Sequence, residues 1–174
     1  MAKSIEVAYW FLKKSIERGM NDEEYYMDYV KVHKLMYLGQ CYLKYERDMD
    51  LFEEDVFALS CGPYIDKIEL VAGCCGFDKI KNVDELKESI FSFKPFSTIE
   101  FPLSISRNET CDVILDKFGK LTTDELVFLT KNTEAYKRFL NCCNNVISKS
   151  SMGKTGEILF KEKDKEFKKV KLKI

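Results

Sequence analysis

The stretch Val32-His33-Lys34-Leu35-Met36-Tyr37-Leu38-Gly39-Gln40-Cys41-Tyr42-Leu43 decides how the chain is read. Val32, Leu35, Met36, Gly39, Tyr42 and Leu43 recur at three- and four-residue intervals, which lays one continuous apolar stripe along a helix. Gly39 on that stripe weakens the helix by about 1 kcal/mol relative to alanine. A residue this small there predicts a close approach by another element. Tyr25, Tyr26, Tyr29, Tyr37, Tyr42 and Tyr45 crowd the same region. Such tyrosines either cap the edge of a core or stay at the surface as anchors for a partner protein.

On the N-terminal side, Ser4 to Arg18 carries Ile5, Ala8, Leu12 and Ile16 at helical spacing, with Ser4 as the expected N-cap and Gly19 as the stop. Trp10 and Phe11 fall off that stripe, so this helix is expected to bury more than one face. On the C-terminal side, Leu51 to Leu59 has apolar residues of no single period and reads as a short extended piece or a short helix. Gly62-Pro63 then makes a fixed corner, with Pro63 suited to open a helix over Tyr64 to Val71. Further helices are expected over 83–91, 111–118, from Leu121 and over 134–146. Thr122 and Glu125 have the spacing of a capping box. Residues 93–105 are expected to be a loop with an extended segment. Ser148 to Lys154 reads as a link, and the alternation ending in Val170, Leu172 and Ile174 predicts a terminal β-hairpin over 156–174. The expected fold is thus mainly α with a small antiparallel sheet or hairpin. It is a single domain over 1–174 with its helical body at 3–147.

Composition narrows the function. No apolar run approaches the roughly 20 residues needed to cross a bilayer. The apolar stretch Val7 to Leu12 is short and ends in Lys13 and Lys14 without a cleavage site, so no signal peptide is read and a cytoplasmic location is expected. Seven cysteines, an odd number that includes two adjacent pairs, point to reduced thiols rather than a disulfide framework. Neither pair has the spacing of a zinc knuckle, and His33 is the sole histidine, so no metal ligand set is assigned. The formal charge is −1 overall, yet residues 154–174 carry +4 and the rest −5. An acidic body is poorly suited to nucleic acid.

The catalytic motifs fall short of their contexts. Gly153-Lys154-Thr155 resembles the end of a phosphate-binding loop, but Ser148 stands where that motif needs its first glycine. The acids Asp22, Glu23 and Glu24, and the group Asp48, Asp50, Glu53, Glu54 and Asp55, suggest a two-metal hydrolase only if held rigidly around ions. In turns and helix starts they read as surface charge. A His33 nucleophilic pair with Cys41 or Cys61 has no supporting context, and His33 reads as a partly buried structural residue. No catalytic residue, cofactor or small-molecule substrate is assigned.

The helix quoted above resembles the signature helix of the Panacea (SocA-like) antitoxin family, in which a Leu-x-Lys-Leu-Leu-Tyr core opens a long helix. The motif positions are Lys34, Leu35 and Tyr37, followed at similar spacing by Leu51-Phe52 with acids, Ala58, and the Gly62-Pro63 corner. The first helix, with Ala8, Phe11 and Leu12, and the stretch Leu115 to Leu126 are also similar, so the resemblance spans about residues 3–145. Two departures stand out. Leu59-Ser60-Cys61 precede the corner where the family has an aromatic, a basic residue and histidine, and Tyr64-Ile65-Asp66 follow it in place of Val-Val-Pro. The resemblance implies a non-catalytic antitoxin of a toxin–antitoxin system that neutralises a partner toxin by direct contact. The same scaffold would also suit a phage or mobile-element inhibitor of a host defence complex. Partner contacts are expected on Tyr37, Tyr45, Phe52, Gly62, Pro63 and Tyr64.

Overall fold

A computed structural model describes residues 2–65, 68, 78–81 and 103–161. It is mainly helical with a small antiparallel sheet. Its elements are α1 (Ser4–Gly19), a 3-10 turn (Glu23–Tyr25), α2 (Tyr29–Arg47), β1 (Val56–Leu59), β2 (Gly62–Ile65), α3 (Ile105–Phe118), α4 (Thr123–Lys131), α5 (Glu134–Phe139) and α6 (Lys149–Phe160).

The helix read first is the axis of the molecule. α1, α3, α4, α6 and β2 all pack on α2. Every residue from Lys31 to Cys41 is buried. That explains a stripe with tyrosines on both sides: a helix enclosed all round buries apolar residues all round. Asp28 caps it, accepting from the Lys31 N–H at 2.8 Å. Gly39 sits where a Cβ would come within 2.8 Å of the Leu51 side chain, the close approach its size predicted.

The ends of the other helices follow local chemistry, with one exchange between distant segments. The Thr122–Glu125 capping box is present, Thr122 N donating to Glu125 at 2.8 Å. Ser4 is not the cap of α1 but its first residue. Its N–H donates at 2.7 Å to Glu54, fifty residues away, and the Lys3 N–H donates at 2.8 Å to Glu6. A carboxylate at the positive end of the helix replaces the expected hydroxyl.

Four other expectations are corrected. Pro63 does not open a helix: β2 runs through it, and β1–β2 is a hairpin in the register Val56↔Ile65 to Leu59↔Gly62. Of the two readings of Leu51 to Leu59 the extended one holds, as a loop leading into β1. α3 begins at Ile105, earlier than Cys111. The helix expected over 134–146 stops at Phe139 and turns follow; Asn145 is left-handed (φ 53°), and residues 145–147 line up along β1. Ala58 N donates to Asn145 O and Ile147 N to Val56 O, both at 2.8 Å. Finally, residues 149–160 are helix, not a link followed by a strand. Ser148 caps this helix, and Met152, Thr155, Gly156 and Phe160 form its buried face at helical spacing. The rest of the expected terminal hairpin, residues 66–67 and 69–71 of the helix expected over 64–71, the helix expected over 83–91, Cys74, Cys75 and the extended segment near Ile99 lie outside the described residues. Among the described residues no helix is long and apolar enough to cross a membrane.

Candidate functional site

Three of the motif residues, Lys34, Gly62 and Pro63, meet at the β1–β2 hairpin. Among the described residues β2 pairs with β1 alone, and on its other edge the Pro63 carbonyl and the Ile65 N–H turn to side chains. α2 supplies the partners. The Ile65 N–H donates to His33 Nδ1 at 3.1 Å, and the Lys34 ammonium donates to the Pro63 carbonyl at 2.8 Å. Two consecutive side chains thus take the place of a neighbouring strand, and Pro63, which has no N–H, stands at an edge where none is needed. The His33 ring also stacks on Tyr64, centroids 4.5 Å apart and planes 23° from parallel.

Gly62 fits this contact. Its φ is 103°, a left-handed backbone that other residues avoid, and a Cβ there would lie 3.0 Å from both Cε and Nζ of Lys34. Burial pulls the Lys34 ammonium down to about 8. Burial, with Lys34 alongside, holds the His33 imidazole at about 3, so it stays the neutral acceptor that Ile65 requires. The far end of the hairpin is fixed from α5. Tyr136 donates its hydroxyl to the Leu59 carbonyl at 2.7 Å, while Thr133, which caps α5, bonds the Tyr37 hydroxyl at 2.9 Å. Ser60 and Cys61, the two residues of the turn, are exposed.

Lys34, Gly62, Pro63 and Tyr64 are therefore brought together, but the other expected contact residues are not. Tyr37 and Phe52 are wholly buried, so neither offers surface to a partner. Both hold the core. Tyr45 is half-buried against α6, where a Cβ on Gly156 would come within 2.8 Å of it. None of the tyrosines around α2 is exposed. Gly62 and Pro63 are buried as well, which leaves Ser60, Cys61 and part of Tyr64 as the accessible face of the corner.

Three of the five acids between 48 and 55 hold the structure together, while Glu53 and Asp55 are exposed. Asp50 takes the Gln40 amide and the Lys149 ammonium, each at 2.9 Å, and Asp48 pairs with Lys44 at 2.8 Å. Glu54 caps α1. Gln40, which the sequence reading passed over, accepts from Leu51 N at 2.8 Å. Arg107 donates to the Leu51 carbonyl at 3.0 Å, so the Leu51-Phe52 segment is clamped from two helices. Nothing local in the sequence signals Arg107. A buried-face Gln on an apolar helix was the one available clue to Gln40.

No nucleophilic pair forms. His33 Nδ1 is committed to Ile65, and burial pushes the Cys41 and Cys111 thiols well above their ordinary range. Among the described residues the cysteines are free, with Cys61, Cys142 and Cys143 exposed. No described group of three or more His, Cys, Asp or Glu residues is placed to hold a metal ion. Gly153-Lys154-Thr155 lies inside α6, packed on α2, without a loop of amides to cradle a phosphate. No protein-family model, curated protein or solved structure matches the chain.

Proposed function

We propose that the protein is a non-catalytic binding protein of antitoxin type, acting in the cytoplasm and neutralising a partner protein by direct contact. The observation that supports this reading is how the motif residues are spent. Lys34, His33 and Gly62 fasten a hairpin to the central helix and leave its two-residue tip outward. A rigid, pre-organised tip loses little entropy on binding, which suits a contact surface. The resemblance of the central helix and Gly-Pro corner to the Panacea antitoxins gives the type of partner, a toxin encoded beside this protein.

The contact is assigned to Ser60, Cys61 and Tyr64, in place of the buried Tyr37 and Phe52. The test is co-expression with each neighbouring gene, scoring growth rescue and co-purification. A neighbour toxic alone, tolerated with this protein and recovered as a complex carries the reading. Ser60→Glu and Cys61→Glu are then expected to keep the thermal midpoint and lose rescue. Rescue that survives both substitutions removes the hairpin tip from the interface. If no neighbour is toxic and nothing co-purifies, the antitoxin reading fails, and co-purification with host defence complexes becomes the experiment to run.

A further inference from the structure

We draw no further inference here: the strongest candidate, the groove of about 210 Å³ walled by Leu129, Ile158 and Leu159 between α4, α5 and α6, is a largely apolar surface for which nothing in the structure shows what covers it.

Discussion

At Ile65 the backbone N–H points away from β1 and meets the unprotonated Nδ1 of His33. A proton on that nitrogen would remove the acceptor and place a charge beside the Lys34 ammonium. The folded His33 titrates at about 3 and the unfolded one near 6.5, so between those values the unfolded chain binds more protons. Stability from this group is therefore complete above pH 6.5 and is lost as the pH falls toward 3, with a slope of up to about 1.4 kcal/mol per pH unit. His33→Asn keeps a carbonyl acceptor and removes the titration. Denaturant melts at pH 7, 5.5 and 4.5 are expected to show a shallower decline for this variant than for the wild type, and parallel declines would refute the assignment. Gly62 is the second point of strain. Gly62→Ala forces a left-handed alanine against Lys34 at 3.0 Å and is expected to cost about 1–3 kcal/mol, read as a lower denaturation midpoint.

Among the elements, α6 and α2 make the closest pairing, and two glycines of α6 test it in opposite directions. A Cβ on Gly156 would lie 2.0 Å from the Cys41 carbonyl oxygen, a backbone atom that cannot yield. Gly156→Ala must push the helices apart, which is expected to cost about 1–3 kcal/mol, as overpacked contacts do. A Cβ on Gly153 would instead meet Lys44 Cγ at 3.2 Å, part of a flexible side chain. There the gain in helix propensity, about 1 kcal/mol, offsets the adjustment, so Gly153→Ala should leave the melting temperature equal or higher. Equal losses in both variants would mean that α6 does not lie on α2 in this register. At the first helix, Glu54→Gln removes a charge from the positive end of α1 and is expected to cost about 0.5–1 kcal/mol, with high salt shrinking the difference.

For the molecule as a whole, a buried axial helix makes stability cooperative. α2 touches every large element, so none can leave without exposing it. Amides from Val32 to Leu43 are expected to exchange with solvent only through global unfolding, at one common free energy. Exchange of these amides faster than the global limit would show that α2 is not the common support. α1 is joined to the rest in part by the surface pairs of Arg18 with Asp112 and Asp116, which contribute little each; its anchors are Phe11, Leu12 and the Glu54 cap.

The sequence by itself determined the features that depend on neighbours within a few residues. The periodicity of 32–43, the Thr122–Glu125 box and the class of fold are of this kind, because helix stripes and caps are written in adjacent positions. It also marked Lys34, Gly62 and Pro63 through a resemblance, without saying what joins them. Tertiary structure alone decided that Tyr37 and Phe52 are core, since which face of a helix is covered depends on how many elements surround it. It turned 149–160 into helix, where Gly153, read as part of a link, and Gly156, read as part of a hairpin, both lie against α2. It made Pro63 a strand residue because His33 and Lys34, thirty residues earlier, complete the edge of β2. Contacts of that range leave no periodic trace in the chain, and they are where the hairpin is fastened.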